Sequence, residues 1–175
     1  MKKVCILSVS LLLLAACRQE SSVVELVTET PVALTRVFQL VDAQGVSSLT
    51  DLHAAAKPGD EVVFEAKVMG SKTPFVEGRA LMVVGDESHL VSCDLMEEEG
   101  HCETPWDVCC ATREDLLSGS ATVQVVDENG KVLSADLRGV HGLQELSRVR
   151  VSGVVSALSS PQALLINATA IEVLP

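Results

Sequence analysis

Five short β-patterned segments, separated by glycine, proline and Asn-Gly breaks, constrain this chain more than any other feature. The pattern starts after Pro58-Gly59-Asp60, a triplet that forces a turn. Residues 61–68 (EVVFEAKV) are rich in β-formers and partly alternating, and they stop at Gly70. Residues 79–84 (RALMVV) form a second segment ended by Gly85-Asp86, and residues 90–93 continue it after a bulge. Residues 121–126 form a third. Asp127-Glu128-Asn129-Gly130 is a hairpin turn, because Asn-Gly tolerates the positive φ that tight hairpins require, and residues 131–135 return from it. A short helix is expected over residues 137–147. The fourth strand carries Val149, Val151, Val154 and Val155 and bends near Gly153. The fifth spans residues 164–174 (LLINATAIEVL). It sets Leu165, Asn167, Thr169 and Ile171 on one side and Ile166, Ala168, Ala170 and Glu172 on the other. The expected fold class is all-β with a short helix.

The order strand, strand, strand hairpin, short helix, strand, strand resembles the OB-fold, a five-stranded Greek-key β-barrel with a helix between strands three and four. The segments Gly59-Asp60-Glu61-Val62-Val63 and Val149-Arg150-Val151-Ser152-Gly153-Val154-Val155 carry the likeness, which covers about residues 58–174. Upstream, residues 48–57 (SLTDLHAAAK) read as a helix, with Ser48 and Asp51 at capping-box spacing and Asp in place of Glu or Gln. Residues 37–41 (VFQLV) read as a short strand. No internal repeat is evident.

The N-terminus supplies an address. Lys2 and Lys3 precede an apolar run over residues 4–14, too short for a membrane span of ~20 residues. Leu14-Ala15-Ala16-Cys17 resembles the bacterial lipobox. That resemblance implies cleavage before Cys17 and attachment of a lipid to its thiol, with palmitate among the acyl chains of the anchor. The expected organisation is a signal peptide over 1–16, a tether over 17–36, a pre-barrel segment over 37–57 and the barrel over 58–175, with an insertion at 93–120. The expected location is the bacterial cell envelope, membrane-anchored and facing the periplasm.

Charge narrows the partners. Thirteen basic residues face 24 acidic ones, a formal net charge of -11, and cleavage removes Lys2 and Lys3 to leave -13. Nucleic-acid binders need Lys and Arg to displace counterions from phosphates. The only aromatics are Phe38, Phe64, Phe75 and Trp106, so base-stacking platforms are scarce. Nucleic acid is therefore excluded as a partner. The membrane, reached through the lipid, and an envelope protein, a saccharide or a cation remain.

Four cysteines, Cys93, Cys102, Cys109 and Cys110, fall within 18 residues. An oxidising compartment favours two structural disulfides, and a vicinal Cys109–Cys110 bond would be strained, so these two are expected to pair with Cys93 and Cys102. A second reading is a zinc or copper site formed by Cys93, Cys102, Cys109 and Cys110, with His101 as a substitute ligand and Asp94, Asp107 and residues 97–99 as outer acceptors or added negative charge. A third is thiol–disulfide exchange, which neighbouring carboxylates oppose by raising thiol pKa.

The segments Pro74-Phe75-Val76-Glu77-Gly78-Arg79-Ala80 and Cys102-Glu103-Thr104-Pro105-Trp106-Asp107-Val108-Cys109-Cys110 resemble a family of exported bacterial (lipo)proteins with PFVEGRA-like and C-x-TPWD-x-CC-like segments. The resemblance implies an exported setting and no particular reaction.

No nucleophile elbow, Walker loop or H-E-x-x-H helix is present, and His53, His89 and His141 are scattered. A catalytic residue is not expected, nor a cofactor unless the cysteines bind zinc or copper. OB-like barrels bind ligands on strands two and three and the adjoining loops. The expected binding face comprises Phe75, Glu77, Arg79 and Trp106. The sequence thus points to a lipid-anchored envelope module that binds or has a structural role. A metal-binding or thiol-redox protein using the cysteine cluster is the alternative.

Overall fold

Alternation of buried and part-exposed side chains gives each β-patterned segment one inward face, and those faces close around a common core. The computed structural model describes residues 32–96 and 103–175. Its strands are β1 (Glu61–Lys67), β2 (Leu81–Gly85), β3 (Ser120–Gln124), β4 (Arg148–Val155) and β5 (Leu165–Val173). They hydrogen-bond in the order β1-β2-β3-β5-β4, and β4 pairs back onto β1 to close the barrel. The β3–β5 pair is parallel and the other four are antiparallel. The architecture is the OB-fold-like five-stranded barrel that the segment order implies.

Phe64, Met82, Val84, Val123, Val151 and Ile166 are fully buried at its centre. Each such side chain contributes about 1.5–3 kcal/mol through removal of apolar surface from water. β1 and β2 pair only at Lys67 and Gly85. The β1–β2 loop fills the rest of that seam: Val83 N–H donates to Pro74 O at 2.7 Å, and Phe75 forms a bridge with Met82.

On β4 the register shifts between Ser152 and Gly153. A Cβ at Gly153 would lie 2.6 Å from both Asn167 O and Ile166 Cγ2, so only glycine lets the β4 and β5 backbones approach this closely. On β5, alternation holds from Ile166 to Ala170, and then Ile171 is buried as well. The physical reason is cover from the N-terminal segment, where Phe38 bridges Ile171.

Among the described residues three helices lie outside the barrel: α1 (Val32–Val37), α2 (Leu49–Ala55) and α3 (Arg113–Gly119). The α2 N-terminus is capped as its sequence implies, with Ser48 accepting from Asp51 N–H. The carboxylate of buried Asp86 also accepts from Leu49 N–H at 3.0 Å. The 127–130 turn forms, with Gly130 at φ 77° and Asp127 N–H donating to Lys131 O.

Other local expectations are corrected. Residues 37–41 are not a strand: α1 runs to Val37, and Phe38 makes an isolated bridge. Residues 32–36, at the end of the expected tether, are helical, with Leu34 buried in the core. Residues 90–93 do not continue β2. The chain turns at Asp86, whose carbonyl accepts from His89 and Leu90 N–H, and Cys93–Leu95 is a 3-10 turn. Residues 137–147 hold only a 3-10 turn, Val140–Gly142, because Gly139, His141 and Gly142 all take positive φ. The helix beside β3 is instead α3, inside the cysteine-bearing excursion and before β3 rather than after it. Among the described residues no helix is long and apolar enough to cross a membrane.

Gly153→Ala is expected to lower the unfolding free energy by about 1–3 kcal/mol, since its close neighbours include backbone atoms that cannot rotate away. Urea denaturation measures this, and an unchanged midpoint would show that the bulge tolerates a methyl group.

Candidate functional site

β1 ends at Lys67, whose side chain is buried. Its ammonium donates to Ser92 Oγ at 3.0 Å and to Asp94 Oδ2 at 3.2 Å, and Ser92 Oγ donates in turn to Asp94 Oδ1. This paired and hydrogen-bonded charge fixes the start of the excursion to the barrel. The excursion then folds back on itself: Cys93 N–H donates to Asp107 O and Asp94 N–H to Pro105 O, both at 2.8 Å. Met69, Leu90 and Val108 form a second small core, with Trp106, Ala111 and Leu116 packed against it. A long polar segment thereby gains apolar burial of its own.

The same folding gathers cysteines. Cys93 Sγ lies 3.5 Å from Cys109 Sγ, and Cys109 Sγ lies 3.8 Å from Cys110 Sγ. Both separations exceed the ~2.05 Å of a disulfide bond. Cys93 is buried, whereas Cys109 and Cys110 are exposed. Cys102, His101, residues 97–99 and Cys17, the expected lipidation residue, lie outside the described residues. Among the described residues no group of three or more His, Cys, Asp and Glu side chains is placed to hold a metal ion. Asp94 and Asp107, expected as outer acceptors, are engaged within the protein, Asp94 with Lys67 and Asp107 with Val108 N–H.

Beside the excursion lies a groove of about 650 Å³, within the usual size of a ligand pocket. Phe75 and Glu77 from the β1–β2 loop and Trp106 from the excursion line it. Three expected binding residues therefore meet, although 29 positions separate Glu77 from Trp106. Arg79 does not line the groove and is exposed. Arg138, from the β3–β4 connection, supplies the guanidinium instead.

Polar contacts hold these walls. Trp106 Nε1–H donates to Lys72 O at 2.9 Å, which joins the excursion to the β1–β2 loop and uses the only indole donor. Gly78 N–H donates to Asp136 Oδ1 at 2.6 Å, joining that loop to the β3–β4 connection. Arg138 Nε–H donates to Glu145 Oε2 at 3.1 Å. Lys72, Asp136, Arg138 and Glu145 were missed by sequence reasoning. Asp136 and Arg138 flank buried Leu137, a signal that both point outward, but the helix expected there hid it. A larger groove of about 770 Å³ lies over the outer wall of β1, β4 and β5. Its lining includes neither an aromatic nor a cationic side chain, so it offers fewer kinds of contact.

Ser118, His89 and Asp115 also meet, on α3 and the turn before the excursion. Ser118 Oγ lies 3.1 Å from His89 Nε2, and Asp115 Oδ1 lies 3.6 Å from that same nitrogen. A Ser-His-Asp relay needs the serine and the carboxylate on opposite ring nitrogens. This trio lacks that arrangement, and Ser118 Oγ donates to Glu114 O at 3.0 Å.

Asp115 closes the α3 capping box with Thr112. The Thr112 hydroxyl bond holds its carboxyl below the usual 3.8, aided by Thr112 N–H and His89 and opposed by desolvation. A depressed carboxyl pKa adds stability above the unfolded value, and that stability is lost as pH falls through the folded pKa. Amide protection in α3 is therefore expected to weaken as pH drops below 3.8, and Asp115→Asn is expected to flatten that dependence. Hydrogen exchange across an acid series measures it, and an equally steep loss in the variant would assign the effect elsewhere.

Compared with known proteins, the chain matches no family model, and no curated protein or solved structure is significantly similar to it.

Proposed function

We propose that this protein is a lipid-anchored binding module of the bacterial cell envelope, with no catalytic role, and that its ligand site is the groove of Phe75, Glu77 and Trp106. The convergence of these three side chains with Arg138 carries the reading. Aromatic walls supply apolar contact area, while the carboxylate and the guanidinium supply directional polar contacts. The groove is built by the β1–β2 loop, the excursion and the β3–β4 connection, all held on a closed barrel. Loops positioned by a rigid scaffold commonly carry binding functions.

The groove is tested by NMR titration with peptide and glycan fractions of the envelope. Shifts are expected at Thr73, Glu77 and the Trp106 indole, and Thr73→Arg, which fills the groove from an exposed position, is expected to remove them. Ligand shifts confined to another face would overturn the assignment.

The address rests on Lys2, Lys3, the apolar run and Leu14-Ala15-Ala16-Cys17. Acyl chains on Cys17 would hold an acidic domain at a membrane whose headgroups repel it, which requires more than one chain for a stable anchor. Two disulfides among Cys93, Cys102, Cys109 and Cys110 would staple the excursion, and each would contribute about 2–4 kcal/mol. The short Cys93–Cys109 separation supports this reading.

Intact mass of the protein isolated from its membrane tests both points. Loss of residues 1–16, an added acyl mass and four cysteines that alkylate only after reduction are expected. An unacylated chain would refute the anchor. Cysteines that alkylate without reduction, or a retained zinc or copper ion, would replace the disulfides with the metal or thiol-redox alternative.

A further inference from the structure

We infer that the groove takes a basic peptide segment, one with a lysine or arginine beside an apolar residue, presented by a protein partner; this rests on the groove reading above. The argument starts from which groups are already committed. Arg138 donates from Nε to Glu145 Oε2 and approaches the same oxygen from Nη2, so part of its donor fork is engaged within the protein. Trp106 has spent its one donor on Lys72 O, and its indole offers a bound group only an apolar, electron-rich surface. Asp136 accepts one bond at Oδ1 from Gly78, which leaves Oδ2 for a ligand. Both oxygens of Glu77 are without hydrogen bonds or ion pairs to described residues. Two carboxylates with open acceptor positions thus share the groove with the Lys72 ammonium and the remaining N–H groups of Arg138.

This inventory favours a cation. Three carboxylates, Glu77, Asp136 and Glu145, line the groove against two cations, Lys72 and Arg138, and the Phe75 and Trp106 rings attract a positive charge placed over their faces. The field of the whole chain acts in the same direction, because a formal charge of -11 draws cations and repels anionic polymers. The apolar rings suit the aliphatic stem of a lysine and a neighbouring apolar side chain. Lys72 remains to meet a peptide carbonyl. A groove of about 650 Å³ has room for a few side chains rather than a whole domain, which matches a linear segment.

The test uses the full chain in detergent micelles and calorimetric titration with blocked tetrapeptides. A Lys-Leu-Lys-Leu peptide is expected to bind with one-to-one stoichiometry and to weaken as salt is raised. A Glu-Leu-Glu-Leu peptide is expected to bind at least about tenfold more weakly. Glu77→Gln with Asp136→Asn is expected to remove about tenfold in affinity for the basic peptide. Both changes keep the side-chain shape, and the Asn carbonyl can still accept from Gly78, so the fold is retained and circular dichroism checks it.

Equal affinity for the two peptides, or an unchanged affinity in the double variant, would overturn the basic-peptide assignment. So would binding of tri-N-acetylglucosamine in place of either peptide. If Thr73→Arg abolished that saccharide binding, the groove reading would survive and only the ligand class would fall. If no probe shifted any groove resonance and envelope fractions shifted another face, both would fall.

Discussion

Barrel closure depends on β4. That strand pairs with β1 along the whole length from Glu61 to Lys67 and with β5 on its other side, so it joins the first strand to the last. The joint requires a bend, and the bend requires Gly153, where the backbone of β5 occupies the space a side chain would take. The outer face of β4 carries Arg150, whose guanidinium bonds to Glu65 on β1 and Glu172 on β5. Its own pKa is raised, chiefly by the Glu65 hydrogen bond. Glu172 also accepts from Val41 N–H, so the same network holds the N-terminal segment against the closed wall. Without this closure neither end of β1 would be placed, and Lys67, the anchor of the cysteine-bearing excursion, sits at one of them.

The candidate groove is a consequence of that placement. The β1–β2 seam is left open by the short β2 pairing, and the loop that fills it brings Phe75 and Glu77 to the surface. The excursion is pinned at Lys67 and packed on Met69, which sets Trp106 beside the loop. The β3–β4 connection then closes the third side through the Gly78–Asp136 bond. Backbone groups tie each wall to its neighbour: Gly70 N–H donates to Trp106 O and Trp106 Nε1–H to Lys72 O on one side, and Gly78 N–H donates to Asp136 Oδ1 and Ala80 N–H to Leu133 O on the other. Of the side chains that line the groove, Trp106, Asp136, Arg138 and Glu145 take part in structural hydrogen bonds, while Glu77 makes no hydrogen bond or ion pair to the described residues.

Much of the barrel was legible because strand burial imposes a period of two. Phe64, Val84, Val123, Val151 and Ile166 each stand at an alternating position of a β-rich run, and all are buried. The Asn129-Gly130 turn and the Gly153 bend were legible because each needs a glycine for a local backbone reason. Residues 137–147 misled because their apolar spacing suits a helix, while Gly139 and Gly142 adopt positive φ and break it. The helix α3 was missed because the cysteines and carboxylates around it dominate the segment, although Thr112 and Asp115 form a capping box. In the groove, Phe75, Glu77, Arg79 and Trp106 were legible together as the strand-two and strand-three face of an OB-like barrel, but Arg79 does not line it.

By itself the sequence determined the all-β class, the approximate strands, the acidic balance and the spacing of four cysteines. These follow from composition and from local periodicity, which act over a few residues. Tertiary structure alone decided which loop residues share a surface. It brought Arg138 and Asp136 to Glu77 and Trp106, placed Cys93 beside Cys109, and set Lys67 against Asp94. Those meetings depend on how the barrel closes and where its loops cross, and no local pattern along the chain encodes a distance between segments that only closure brings together.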